Sequence, residues 1–207
     1  MSAFHPLQSL ADRGTVGGMV SDDPTSMLQV GLNSWIISDG NYADFKVGQV
    51  RSFALEYFNE EELRVLPKSR ARRSFVRLDA ARYAVAGRTL HVTPEWVVID
   101  VGVPAYRELY SFAQPPRRFE GVLCLGVDPF FYVERRAREP GAAPLICDWR
   151  IHRIEVETAP RILQGDIMVY DPERLQLKDV EDTRKGEDFV LHCELLANPP
   201  RHTLAVP

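Results

Sequence analysis

Residues Tyr83 to Val103 read YAVAGRTLHVTPEWVVIDVGV, and this stretch decides the fold class. Two runs rich in β-branched and aromatic residues flank Thr93-Pro94-Glu95, where proline presets the backbone of a tight turn. Beyond the turn, Val97, Ile99, Val101 and Val103 share one parity, while Trp96, Asp100 and Gly102 share the other. A period of two predicts a strand with one face buried. Similar runs follow: Phe119–Val127, Phe130–Arg135, Leu145–Thr158 and Phe189–Leu195. Several short strands punctuated by Gly and Pro predict an all-β chain with one or two short helices, folded as a curled antiparallel sheet or small β-barrel.

The order AGRTLHV, turn, WVVIDVG resembles the first hairpin of oligonucleotide/oligosaccharide-binding (OB) barrels, in which a strand leaves a glycine and pairs with its successor. The resemblance covers about 25 residues and implies an OB-like barrel without implying a function.

Working outward, residues 1–26 mix Gly, Ser, Asp and Pro without periodicity and predict a flexible N-terminal arm. Met27–Ile37 and Val47–Phe58 flank the turn-forming Ser38-Asp39-Gly40-Asn41-Tyr42, so residues 27–66 predict a β-hairpin packed on the barrel. Asn59-Glu60-Glu61-Glu62 has the order of a helix N-cap and capping box, ended by Pro67. Residues 67–74 form a basic connector, and 75–207 the barrel-like core with an acidic 166–188 segment. Within Leu145–Thr158 the apolar parity changes from Cys147, Trp149 and Ile151 to Ile154 and Val156, which predicts a β-bulge near His152-Arg153. Asp171-Pro172-Glu173 has the chemistry of a helix start, although LQLKDVED lacks an apolar face.

The chain of 207 residues carries a net charge of −4, with 45% hydrophobic and 26% charged residues, ordinary for a domain with a real core. No run approaches the ~18 apolar residues of a membrane span, and MSAFHPLQSLADRG lacks the basic-then-apolar order of a signal peptide. A cytoplasmic location and no membrane association are the expectation. Cys124, Cys147 and Cys193 are odd in number and lie inside strand-like runs, so they read as reduced thiols rather than as disulfide or CxxC metal ligands.

Charge is unevenly placed. Arg64 to Arg77 holds six basic residues and no acidic one, whereas Asp166 to Asp188 holds eight acidic against four basic. Arg70, Arg72 and Arg73 with Phe75 could clamp phosphates and stack a base, but a solvated connector or a bridge to the acidic segment is the favoured reading of the same run. Net acidity makes nucleic acid the least favoured partner.

Asp148, Arg150 and His152 share one strand face, and His192 and Glu194 repeat the pattern on the last strand. These are the candidate acid-base groups: Asp148, His152, His192 and Glu194, with Arg150 as an anion contact. They would converge only if the two strands were neighbours; otherwise they form a solvated face with cross-strand ion pairs. Phe130-Phe131-Tyr132 follows a turn, and Phe131 is a candidate stacking surface. No metal site and no cofactor are expected, and no glycine-rich phosphate loop, GxSxG or HExxH motif is present.

The leading expectation is therefore a non-catalytic β-barrel module for protein–protein association, with itself or a partner. The alternative is a small enzyme or small-molecule-binding barrel using the acid-base groups in a pocket. Single-stranded nucleic-acid binding ranks third.

Overall fold

The computed structural model describes residues 27–59, 61–67, 73–109, 114–158, 161–164, 167–170, 173–180 and 188–204. The N-terminal arm, Arg70 and Arg72, and residues 166, 171–172 and 181–187 of the acidic segment lie outside them.

Thr93 organises the central hairpin. Its hydroxyl oxygen accepts the backbone N–H of Trp96 at 3.0 Å and of Glu95 at 3.2 Å. This side-chain-to-backbone turn joins β6 (Arg82–Val92) to β7 (Trp96–Asp100), which pair antiparallel. Strand β8 (Pro104–Glu108) pairs with β7, β3 (Leu55–Phe58) lies parallel to β8, and β9 (Arg118–Val127) runs antiparallel to β3. Pairing of β9 with β6 completes a closed five-stranded ring, β9-β3-β8-β7-β6. Closure removes the edges that an open sheet would leave.

The remaining strands extend this ring. Strand β1 (Leu28–Asn33) touches β9 through a single parallel bridge, Gly31 to Gly126, and pairs along its length with β14 (Asp188–Leu195). Strand β10 (Cys147–Thr158) follows, carrying β2 (Val50–Phe53) and β13 (Glu173–Leu177) on its other side. A two-residue strand, β4 (Arg64–Val65), pairs with β9, and β5 (Ser74–Asp79) pairs with β6. The backbones of β11 (Arg161–Gln164) and β12 (Ile167–Tyr170) form a separate two-stranded ladder. A five-residue helix α1 (Ser34–Ser38) follows β1, and a π-helical turn spans Tyr132–Arg136. Among the described residues no helix is long and apolar enough to cross a membrane.

The main core fills the ring and continues beneath the extension, from Tyr83, Val97, Ile99 and Leu125 to Trp149, Ile151 and Leu191. Trp149 stacks on Phe53 at 5.4 Å and donates its indole N–H to the Phe53 carbonyl at 3.1 Å. The bulge falls where parity predicted it, with the β10–β14 register shifting between Ile151 and Arg153.

Five expectations need correction. Strand β7 is buried on both faces, because Trp96 and Val98 belong to a second core with Ala54, Tyr106 and Tyr132 on the outside of the ring. Residues 27–37 and 47–58 do not form a hairpin; each finds a distant partner, β14 for the first and β10 or β9 for the second. No helix forms among the described residues between Asn59 and Pro67, where β4 adds to β9 instead. Residues 130–135 are not a strand. The Asp128 carboxylate accepts the Tyr132 N–H at 3.3 Å, and Phe130 takes a positive φ of 79° that breaks the extended backbone before the π-helical turn. Likewise Glu173–Leu177 is the strand β13, held by its ladder to β10 where no helical apolar face competes.

Candidate functional site

Strands β10 and β14 are neighbours, with Arg150 opposite Glu194 and Arg153 opposite His192. The structure therefore brings His152 to Glu194 (2.9 Å), with Arg150 at 3.5 Å from the same carboxylate. The other two acid-base candidates are spoken for. Asp148 is gripped by both terminal nitrogens of Arg201 at 2.6 and 2.7 Å, by Ser52 at 2.6 Å and by Asn198 at 2.8 Å. Arg201 holds the Asp148 carboxyl well below the usual carboxylate range, against the opposing effect of burial. His192 accepts from Arg153 at 3.1 Å and lies 3.2 Å from Glu155, and burial pushes its pKa down. The row is a chain of satisfied cross-strand pairs, and none of the four lines either of the two large cavities. Among the described residues no cluster could hold a metal ion.

The predicted binding residues scatter. Arg73 pairs with Asp100 at 2.9 Å, Phe75 stacks on Tyr83 at 4.4 Å, and Phe131 carries the guanidinium of Arg135 at 4.8 Å. None of the three cysteines is in a disulfide; Cys147 and Cys193 are buried and Cys124 is half-buried.

Two features were not anticipated. The first is an apolar outer face. Register sets Val76 beside Ala84 and Ala84 beside Val122, while Cys124 lies between Arg82 and Phe58. Alternate residues Tyr83, Val85, Leu123 and Tyr57 point into the core, so this set faces outward, and Val76 (53%), Leu78 (50%) and Phe58 (50%) are half-exposed.

The second is a groove of about 610 Å³ where β1 and α1 meet β9 and β3. The glycines of the single β1–β9 bridge, Gly31 and Gly126, form part of its floor, with the Phe58 ring against Gly126 and Ala81 near Gly31. Trp35, 44% exposed, and Phe58 line it, and Glu56 stands in it. Glu56 has no hydrogen-bond or ion-pair partner among the described residues. Burial pushes its pKa up to about 7, reinforced by the charges of Asp128 and Glu108 and opposed by Arg107.

Behind Glu56 the polar network is dense. Asp128 is fully buried, accepts the Tyr106 hydroxyl at 2.5 Å, and leaves its other carboxylate oxygen without a partner among the described residues. Burial raises Asp128 to about 6, opposed by the Tyr106 hydrogen bond. Glu108 is clamped by Arg136 at 2.9 and 3.0 Å, Arg136 reaches Glu139 at 2.7 Å, and Glu139 accepts the Trp96 indole N–H at 2.7 Å. This chain bolts the π-helical turn onto β7 and β8 and keeps water away from Asp128. In the sequence Glu56 is a lone acid in FALEYF and Asp128 a turn residue; no local signal marks either.

Comparison with known proteins finds no matching family, no similar curated protein and no similar solved structure.

Proposed function

We propose that the chain is a non-catalytic, OB-like β-barrel module that associates with a second copy of itself through the free edge of β5. The observation that carries this reading is that edge. Its one ladder among the described residues is with β6, and Val76 and Leu78 stand half-exposed along it. Unpaired N–H and C=O groups on an edge strand template another strand. In the antiparallel two-fold register centred on Val76, Arg73 of each copy faces Asp79 of the other and Phe75 faces Arg77. Opposite charges and an aromatic against a guanidinium both favour that register. The pairing also makes the apolar outer face of β5, β6 and β9 continuous across the two copies.

Arg73 and Asp79 already touch Asp100 and Arg174, so their cross-copy pairs would be shared rather than new. A six-residue edge makes a small interface, and such interfaces belong to transient complexes. The bent first hairpin and the ring of five strands support the OB-like part of the reading. Three cysteines outside any disulfide fit a cytoplasmic setting.

Sedimentation velocity from low micromolar to submillimolar concentration tests the association. The wild-type chain should shift from monomer to dimer, and Val76→Lys should stay monomeric with an unchanged circular dichroism spectrum. A wild-type monomer throughout, or a variant that dimerises like the wild type, would refute the reading.

A further inference from the structure

We propose that the groove between α1 and β3 binds a small organic cation, its ammonium or guanidinium set against Glu56 and its apolar body between Trp35 and Phe58. The inference goes beyond the pairing of β5 and does not depend on it. Three observations converge. The groove's volume of about 610 Å³ lies within the range of small-molecule sites. Two aromatic side chains stand half-exposed at it, although burial is the rule for rings of this size in this chain. The Glu56 carboxylate beside them has no hydrogen-bond or ion-pair partner of its own among the described residues.

The charge environment selects the sign of the ligand. From β8, Glu108 and Tyr106 face Glu56, and from the loop after β9, Asp128 does so. Among the described residues Arg107 of β8 counters them. At the far end of the groove Arg82, Arg174, Asp79 and Asp188 balance in sign, and Arg174 lies on Asp79 at 3.2 Å. A carboxylate crowded by other carboxylates in a low-dielectric site gains most from a bound cation, and ring faces of Trp and Phe add attraction for the same charge.

Because Glu56 and Asp128 resist ionisation, cation binding competes with protons. Affinity should therefore rise with pH as the carboxylate ionises. Benzyltrimethylammonium is the probe, since its charge does not change with pH, and benzyl alcohol is the neutral control. Calorimetric titration of the full chain at pH 5.5 and pH 8 should give at least about tenfold tighter binding of the cation at the higher pH, where one ionised partner is gained. Glu56→Gln should abolish the pH dependence and weaken binding about tenfold at pH 8, while Trp35→Ala should weaken binding at both pH values and keep the dependence. Circular dichroism confirms that both variants fold. No binding of the cation at pH 8, equal binding of benzyl alcohol, an unaffected Glu56→Gln variant, or binding of a lysine-rich peptide alone would each overturn the proposal. None of these outcomes bears on dimerisation through β5, which sedimentation reads separately.

Discussion

Gly87 is where the ring is pinched, and Gly87→Ala should destabilise it for a steric reason alone. Strand β6 changes partners here: residues up to Arg88 pair with β9, and those from Arg88 onward pair with β7. A Cβ at position 87 would lie 2.7 Å from the Asp100 carbonyl oxygen, 2.8 Å from Val101 Cγ1 and 2.9 Å from Phe119 Cζ. None of the three can step aside easily. The carbonyl belongs to β7 backbone, and both side chains are fully buried. Inserting a methyl group into such packing costs about 1–3 kcal/mol. The reduced freedom of the unfolded chain returns about 0.4–1 kcal/mol. With contacts on three sides the steric cost sits at the upper end, leaving a net loss of about 2 kcal/mol. For a chain of this size that is a fall in Tm of about 4–8 °C.

Gly126→Ala is the matched control. Its added Cβ meets nothing nearer than 3.6 Å, an ordinary contact, so only the unfolded-state gain of about 0.4–1 kcal/mol remains. The two substitutions are chemically identical and should move stability in opposite directions. Urea unfolding followed by the fluorescence of buried Trp96 and Trp149 measures both. A Gly87→Ala variant as stable as the wild type would show that β6 and β7 do not cross this closely.

Other outcomes follow from the same geometry. Ala80, in the turn between β5 and β6, has φ of +39°, so Ala80→Gly should raise stability by about 0.5–1 kcal/mol in the same titration. Asp148→Asn should cost about 3 kcal/mol at pH 7, because it leaves Arg201 without its bidentate partner. The folded pKa of Asp148 lies below the unfolded one, so its contribution is present above about pH 4 and disappears as pH falls. The wild-type and variant stabilities should accordingly converge on acidification. A difference that persists at low pH would assign the effect to packing. Ellman's reagent should find one accessible thiol in the native protein, at Cys124. Burial raises Cys147 to about 11 and Cys193 to about 12, so those two should react only on unfolding.

What the sequence revealed was decided locally. The Thr93 turn, the β6–β7 hairpin and the bulge at His152-Arg153 each depend on residues within a few positions of one another. The last strand was legible for the same reason, with Phe189, Leu191 and Cys193 alternating inward. What it concealed was choice of partner. Residues 27–37 and 47–58 have good strand and turn chemistry, yet β1 gains more from β14, about 160 positions away, because that ladder completes the cover over the main core. The acid-base row illustrates the same limit. Sequence parity grouped Asp148, Arg150 and His152 correctly on one face, but Ser52, Asn198 and Arg201, which decide the state of Asp148, come from elsewhere in the chain.

The misreading of β7 and the absence of any local signal at Glu56 have one physical cause. Alternation reports a strand with one wet face, and β7 has none, because Trp96 and Val98 pack outward beneath Tyr132 and Ile146. That second core closes where Asp128 accepts the Tyr132 N–H and Arg136 ties the π-helical turn to Glu108. The same cover removes water from Asp128, and burial of Glu56, reinforced by the charge of Asp128, raises Glu56. The groove's unusual carboxyl is thus a consequence of how the outer core closes. A sequence window around FALEYF holds none of the residues responsible, and only the assembled ring sets Glu56 beside them.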